Sequence, residues 1–318
     1  GRIPEKIHLV SIWMVAIGSN LSALWILIAN SFMQQPVGYT LRNGRAELTD
    51  FFALVSNPHV WLQFPHVFCA GLATAGFFVL GISAYHLRPK KDHPLFLPSF
   101  RAGIAFASIG ILGVLLVGHH QAQHMIRTQP MKMAAAEALW QTENPASFSL
   151  FSMLDEKNRR DVWSLRVPYG LSLLAHNRLE GEVKGIRNLQ DEYTQKYGPH
   201  DYVPPVSISY WTFRIMVATG FLMLLLLLPG WMIVRRASGT LPDFYLKVCM
   251  GALILPYIAN ASGWIFTEMA RQPWIVFGLQ FTEDAVSPTV SAAMVGFTLI
   301  GFTLLYGSLM AVTLFLMK

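Results

Sequence analysis

The sequence has few charged residues for its length. Of its 318 residues, 13% are charged and 53% are hydrophobic. A typical soluble protein carries roughly 25% charged residues, and a soluble fold of this size could not cover its surface with so few. Lys and Arg outnumber Asp and Glu by 24 to 18, but the excess lies in short clusters between apolar runs. That pattern argues against a nucleic-acid partner and predicts an integral membrane protein.

Cysteine is scarcer still. The two cysteines, Cys69 and Cys249, both lie inside apolar runs, which argues against a structural disulfide and against a thiolate metal site. The sequence begins with GRIP, which offers neither an initiator methionine nor the features of a signal peptide. We therefore expect the chain to be a piece of a longer protein.

Six apolar segments are each long enough to cross a bilayer. A hydrocarbon core about 30 Å thick requires about 20 apolar residues in a helix. Lipid offers no partner to an unpaired peptide group, so each segment must be helical. The segments cover roughly residues 8–30, 59–87, 102–123, 207–234, 243–270 and 286–317. We predict an all-α integral membrane protein, a bundle of six transmembrane helices with one large loop domain.

Basic residues flank these segments at alternate ends. Because successive spans alternate in direction, all of these residues fall on one side, which the positive-inside rule makes cytoplasmic. They are Arg2, Lys6, Arg88, Lys90, Lys91, Arg101, Arg235, Arg236 and Lys318. The segment 124–206 then lies outside the cell, between the first three spans (1–123) and the last three (207–318). A segment of this length is expected to be an ordered, partly helical and functional domain.

Ionisable residues inside the spans are candidates for a functional site, because burying them in lipid is costly. His66 lies in the second span, and the helix face beside it is small, with Ala70, Ala73 and Thr74. A neutral imidazole on such a face could be a haem ligand. The alternative is a histidine that forms a hydrogen bond to a neighbouring helix.

Further candidates lie at a similar depth in the fourth and fifth spans. Met216 with a histidine would give a six-coordinate electron-transfer haem, although methionine is also common filler. Arg214 requires an anion, either a haem propionate or a glutamate on another helix. Glu268 has Arg271 at i+3 and Trp264 at i−4 on one face. This group is either an interfacial ion pair or a carboxylate ligand to haem iron. The shared depth predicts one joint site.

Three histidines, His119, His120 and His124, end the third span. His120 and His124 are spaced i,i+4 and could bind a metal. The sequence shows no third ligand, and a histidine cluster at an interface is ordinarily solvated. Their role stays open.

Several sequence motifs occur in the same order as in a known protein family. It resembles subunit I of the cytochrome bd-type quinol oxidases along essentially its whole length. The motifs are GSNLSALW (18–25), MQQPVG (33–38), QFPH (63–66), QPMK (129–132) with Glu137, FRIM (213–216), and GW (263–264) through Glu268 to RQPW (271–274).

The resemblance implies roles for individual residues. His66 and Met216 match the axial ligands of a low-spin haem b that takes electrons from quinol. Arg214 matches the arginine that stabilises this haem.

The same resemblance implies a second haem and a quinol site. Glu268 matches the carboxylate ligand of a high-spin haem b, with Arg271 and Trp264 as its close neighbours. Lys132 and Glu137 match a pair in the extracytoplasmic loop that is linked to quinol oxidation. A lysine and a glutamate on a short helix could bind a quinol oxygen and accept its proton.

The implied function is that of the haem-bearing catalytic subunit of a terminal oxidase in a bacterial or archaeal cell membrane. Quinol would be oxidised outside, and O2 would be reduced to water with cytoplasmic protons, which separates charge without a pump. The implied cofactors are two haem b and haem d. The implied partners are subunit II, small single-span subunits, quinol, O2 and the lipid bilayer.

The sequence also departs from this family. Subunit I has nine spans, whereas this chain shows six, and the absent three carry the histidine ligand of haem d and the glutamates of the proton route. The loop resembles the shorter of the family's variants. Two other functions stay open: a dihaem cytochrome b anchor, which normally pairs histidines on four helices, and a transporter, which would place Arg214 and Glu268 along a substrate path.

Overall fold

The structure, a computed structural model, describes residues 3–88, 93–235 and 241–316. The chain divides into two units, Gly1–Phe281 and Thr282–Lys318. Its helices within the described ranges are α1 (Glu5–Gln34), α2 (Phe51–Val55), α3 (Pro58–Leu87), α4 (His93–Thr128), α5 (Pro130–Ala136), α6 (Gly170–His176), α7 (Ile186–Tyr197), α8 (Val206–Arg235), α9 (Asp243–Ala252), α10 (Leu255–Met269) and α11 (Ala292–Leu316). Three antiparallel hairpins pair β1 (Tyr39–Arg42) with β2 (Arg45–Leu48), β3 (Phe148–Asp155) with β4 (Arg160–Val167), and β5 (Trp274–Val276) with β6 (Gln280–Phe281).

The predicted membrane fold is confirmed. Six segments of the described chain are long and apolar enough to cross a bilayer: Glu5–Gln34, Phe51–Leu87, Pro94–Thr128, Val206–Ile233, Asp243–Met269 and Ala292–Leu316. Five basic residues of the orientation argument, Arg2, Lys90, Lys91, Arg236 and Lys318, lie outside the described residues. The sidedness of the loops therefore stays a prediction.

The third span is longer than predicted. It was expected over 102–123, but α4 has 36 residues, a length of about 54 Å at 1.5 Å per residue. Its histidine-rich end does not stop the helix, because main-chain hydrogen bonds do not require apolar side chains. Since the hydrocarbon core is about 30 Å thick, the ends of α4 project beyond it.

The fifth and sixth spans also differ in detail from the prediction. The fifth is two helices, α9 and α10, separated by a turn at Leu253 and Ile254. Pro256 follows this turn in the first turn of α10, and its ring nitrogen has no hydrogen to bond the carbonyl of Ala252. The last span begins at Ala292 rather than at residue 286.

Small residues bring α3 and α4 close together in the core. A Cβ atom at Gly76 would lie 2.3 Å from the Ala107 nitrogen, and one at Gly110 would lie 2.4 Å from the Ala73 nitrogen. Only glycine permits this approach, as is common between helices in membranes. The close pair α3–α4 is the framework on which the site described below is built.

Residues 129–205, which we call the lobe, connect α4 to α8. The lobe contains the expected helices and also the β3–β4 hairpin, which was not predicted. Its turn is closed locally, because the Asp155 carboxylate accepts hydrogen bonds from the main-chain nitrogen (3.2 Å) and the side chain (2.7 Å) of Asn158. The hairpin bears Ser149, whose main-chain nitrogen donates a hydrogen bond to Glu137.

The ends of α1 and α3 that meet the lobe are joined by one side chain. Asn57 caps α3 by accepting a hydrogen bond from the His59 nitrogen at 3.0 Å. Its amide group donates to the Gln35 carbonyl at 2.9 Å. Pro130 then begins α5 as its first residue. Gln129, between α4 and α5, donates to the Gln34 carbonyl of α1 at 2.6 Å. The ends of α1, α3, α4 and α5 therefore lie together, and we call this region the lobe end of the bundle.

Candidate functional site

A cavity of about 590 Å³ lies at the lobe end, between α1, α3, α4, α8 and α10. Three of the predicted membrane residues, His66, Met216 and Trp264, line it, and Lys132 of α5 lines it as well. The cavity therefore brings together four of the eight predicted site residues.

Glycines shape the cavity wall beside both predicted axial ligands. A Cβ atom at Gly118 of α4 would lie 3.3 Å from His66 Cε1, and one at Gly263 of α10 would lie 2.8 Å from Met216 Sδ. His66 Nδ1 is buried without a well-formed hydrogen bond, with the main chain of Val114 as its polar neighbour. An imidazole and a thioether that face one glycine-walled space fit the axial ligands of a haem.

Arg214 finds its anionic partner within the chain. Its Nη2 atom lies 2.6 Å from Glu137 Oε2; the Glu137 side chain is buried, and that of Arg214 is 11% exposed. The partner is therefore a glutamate, but on the lobe and not on a membrane helix. Arg214 Nε and Nη1 make no hydrogen bond with the described residues, so the guanidinium retains donors that fit a second anion such as a propionate.

The lobe holds Glu137 in place. The Ser149 nitrogen of β3 donates to Glu137 Oε2 at 3.1 Å, and Arg166 of β4 donates to the carbonyls of Glu137 and Ala138. Burial raises the pKa of Glu137, and the charge of Arg214 opposes that rise. The hairpin that the sequence analysis missed is the element that fixes this carboxylate.

The Lys132 side chain has different hydrogen-bond partners from that of Glu137. Its Nζ atom donates to Gln34 Oε1 at 3.0 Å and to the Thr267 carbonyl at 2.9 Å. Burial, and secondly the charge of Arg271, lowers the pKa of Lys132 to about 7. Five positions along a helix correspond to a rotation of about 140°, so the two side chains leave α5 on different faces. The structure brings both to the lobe end but not into one pair.

Glu268 lies next to the cavity but is not one of its lining residues among those described. Its carboxylate accepts a hydrogen bond from Asn30 Nδ2 at 2.9 Å and pairs with Arg271. Arg271 is buried, and its Nε and Nη1 atoms make no hydrogen bond with described residues. The predicted i,i+3 pair is thus present, and its unpaired donors fit an additional anion.

Buried amide side chains contact these residues and one another, and they are not among the predicted site residues. Gln63 Nε2 donates to Asn30 Oδ1 at 3.2 Å, and Gln129 Nε2 donates to the Gln34 carbonyl at 2.6 Å. Two spacings could have revealed them: Asn30 and Gln34 at i,i+4 in an apolar span, and His59, Gln63 and His66 at i, i+4 and i+7.

Two of the three unassigned histidines are bound individually. His119 Nε2 lies 3.0 Å from Asn177 Oδ1, and His120 Nδ1 lies 2.9 Å from the Leu116 carbonyl. No group of three potential metal ligands is found among the described residues. The third, His124, lies 2.9 Å from Gln35 Oε1 and is considered below.

Comparison with known proteins gives one consistent result. The family model described as cytochrome bd terminal oxidase subunit I matches residues 1–318. The chain is 46% identical over 316 residues to cytochrome bd ubiquinol oxidase subunit 1 of Bacillus subtilis, covering 99% of this chain and 68% of that protein. It is 31% identical to cytochrome bd-II ubiquinol oxidase subunit 1 of Escherichia coli, covering all of this chain and 73% of that protein.

A solved structure agrees. The bd oxidase from Geobacillus thermodenitrificans matches with a TM-score of 0.82 and 30% identity, over 98% of this chain and 69% of that chain. The six apolar segments place the protein in the multi-pass membrane class. The chain belongs to the cytochrome bd terminal oxidase subunit I family, whose members are subunits of membrane-bound quinol:oxygen oxidoreductases.

Proposed function

We propose that the chain is the haem-bearing catalytic part of a terminal oxidase that takes electrons from membrane quinol at the lobe end and delivers them to O2. The observation that carries this proposal is the glycine-walled cavity in which His66 and Met216 face the same space. Family membership supports the quinol oxidase role. The proposed organisation keeps 1–123 and 207–318 as the haem-binding parts and 124–206 as the quinol-binding part.

His66 and Met216 would hold a low-spin haem b through the imidazole and the thioether, with Arg214 on a propionate. Glu268 would ligate a high-spin haem b, with Arg271 and Trp264 beside it. A bound haem would supply a one-electron carrier, which no side chain of this chain can replace. The third cofactor of the proposal is haem d, whose ligand we assign to none of the residues of this chain.

Lys132 is suited to accept a proton from quinol. A neutral lysine amine has two hydrogens and one lone pair. The two acceptors that the structure provides, Gln34 Oε1 and the Thr267 carbonyl, use the two hydrogens and leave the lone pair free. A pKa of about 7 makes the neutral form available at physiological pH.

Glu137 is suited to be the second proton acceptor, because its Oε1 atom is buried without a hydrogen bond among the described residues. We propose that the lobe end faces the outside, so that protons from quinol leave there. Protons for the reduction of O2 to water would come from the cytoplasm, which generates proton motive force without pumping. The membrane would be that of a bacterial or archaeal cell.

The proposed partners follow from the family. The subunit 1 names of the relatives imply a second subunit in the complex. We propose that subunit II and small single-span subunits complete the enzyme, with quinol, O2 and lipid as its other partners.

The proposal is tested by reducing the purified complex with quinol and following its absorption spectrum over a range of pH. We expect haem bands that quinol reduces, at a rate that rises as the pH rises through about 7, because only the neutral amine of Lys132 accepts a proton. Lys132→Met should slow this step roughly tenfold at pH 8 and flatten its pH profile.

The matched control is Lys196→Met, which removes an exposed lysine of the lobe and should leave rate and profile unchanged. A colourless complex would contradict the proposal and favour a transporter. Bands without the far-red chlorin band of haem d would favour the dihaem cytochrome b alternative.

A glycine substitution tests the cavity itself. Gly263→Ala places a methyl group where it would lie 2.8 Å from Met216 Sδ, so the thioether must shift from the position in which it lines the cavity. We expect a loss of most of the low-spin haem signal in the absorption spectrum. Gly251→Ala on α9, where nothing lies within 4 Å of the added atom, should keep the spectrum. A normal spectrum in Gly263→Ala would mean that Met216 is not held there as a ligand.

A further inference from the structure

His59 is a buried histidine that the proposed mechanism does not use. It is the second residue of α3, lines the same cavity as Lys132, and is only 7% exposed. Its Nδ1 atom makes no hydrogen bond with the residues that the structure describes. A buried ring nitrogen with no partner costs free energy, and a histidine with a purely structural role would be expected to use it.

A second histidine stands between His59 and the surface. The ring centroids of His59 and His124 are 5.5 Å apart and the rings are tilted by 51°, a separation that a direct contact or one bridging water spans. His124 is half-buried, and Arg127, one turn further along α4, is exposed. The two rings thus connect the buried cavity with the surface of the lobe end.

The hydrogen bond of His124 fixes which nitrogen accepts a proton. Its Nε2 atom lies 2.9 Å from Gln35 Oε1, and an amide oxygen only accepts. Nε2 therefore carries the hydrogen in the neutral ring, and Nδ1 is left as the acceptor. When Nδ1 takes a proton, the hydrogen on Nε2 can pass to a water that reaches this half-buried ring in place of Gln35 Oε1, because the amide oxygen itself does not take up a proton. The ring can then pass a proton on without turning over.

We propose that His59 and His124 form a proton relay that carries protons from the quinol site to the lobe-end surface. The relay rests on the proposed function. Quinol would give up its two electrons one at a time to the one-electron haem carriers and its two protons to the protein; each proton that reaches Lys132 passes to His59, then to His124, and then to water. No further oxidant or co-reactant is needed, because the haem receives the electrons.

The charges around His59 and His124 favour release of a proton over its retention on either ring. The positive charges of Lys132 and Arg127 act on His59 and His124, respectively. The charges of Arg271 and Glu268 in turn act on Lys132. A positive charge on either imidazole is therefore repelled by a neighbouring cation. Glu137 pairs with Arg214 on a different face of α5 and takes no part in this route.

The relay is tested in the intact complex by mixing it with quinol under anaerobic conditions and timing haem reduction between pH 6 and pH 9. His59→Gln retains size and polarity but cannot pass a proton. We expect a roughly 10- to 100-fold slower reduction and a larger solvent deuterium isotope effect on this phase. The absorption spectrum and reduction by dithionite should be unchanged. His124→Gln should behave in the same way.

His120→Gln is the matched control, because this exposed histidine of the same helix end is bound to its own helix, and it should react at the wild-type rate. Wild-type rates in His59→Gln, without an isotope effect, overturn the relay and leave the quinol oxidase function intact. A wild-type complex that dithionite reduces but quinol does not overturns the proposed function instead. If His59→Gln loses its haem spectrum, the relay is tested with His124→Gln, provided that this variant keeps a normal spectrum. Its rate of haem reduction by quinol and its solvent deuterium isotope effect then support or overturn the relay.

Discussion

Replacing Met216 with leucine is expected to convert the low-spin haem to a high-spin spectrum and to lower quinol oxidase turnover roughly 100-fold, about 2.7 kcal/mol in activation free energy. The thioether is the proposed sixth ligand, and leucine has no lone pair to replace it. Leucine has a similar volume, and such a swap costs less than about 1.5 kcal/mol in stability. Absorption and magnetic circular dichroism spectra of the purified complex measure the change in spin state.

The control for this substitution lies on the same helix. Met232 is also on α8, but it is 58% exposed and does not line the cavity. Met232→Leu should keep the low-spin spectrum and the turnover of the unmodified complex. If Met216→Leu also kept the low-spin spectrum, the thioether would not be an iron ligand, and another side chain of the cavity would have to supply the sixth bond.

Replacing Glu137 with glutamine is expected to have the second large effect. Quinol-driven haem reduction should fall roughly 100-fold, because an amide cannot accept a proton. The substitution also breaks the ion pair of Arg214 and leaves the proposed propionate as its remaining counter-charge; breaking a buried pair costs up to about 3–5 kcal/mol. Stopped-flow reduction by quinol measures the first effect, and the thermal unfolding temperature of the complex measures the second.

An exposed ion pair of the lobe provides the comparison. Arg159 and Asp201 are also 2.6 Å apart but are largely exposed, and pairs of this kind contribute no more than about 1 kcal/mol. Asp201→Asn should therefore change neither the quinol rate nor the unfolding temperature appreciably. An equally small loss of stability in Glu137→Gln would show that burial does not set the strength of the Arg214 pair.

The membrane fold could be predicted from local properties of the sequence. Length and apolarity alone locate all six spans, because a backbone in lipid has no other way to satisfy its hydrogen bonds. Helix ends were less accurate: α4 continues through a polar end, and a proline divides the fifth span. The β3–β4 hairpin was missed, because register shifts at Ser149/Phe151 and at Met153/Leu154 interrupt the two-residue alternation by which a strand is recognised.

Individual candidate residues of the site could likewise be identified from the sequence. A histidine, an arginine and a glutamate inside apolar segments are conspicuous because lipid penalises them. The ion pair of Glu268 and Arg271 also follows from their i,i+3 spacing on one helix. The motifs in their order identified the family, which the comparisons confirm.

Only the tertiary structure decided which of these residues meet. It gave Arg214 a partner 77 positions away in the lobe, separated Lys132 from Glu137, and placed His59 beside His124. Such contacts depend on how close helices approach and on how each is rotated about its axis, and these are set by packing at distant glycines and by the lobe. Composition and spacing determine what a segment must do by itself, whereas the choice of partner depends on the whole fold.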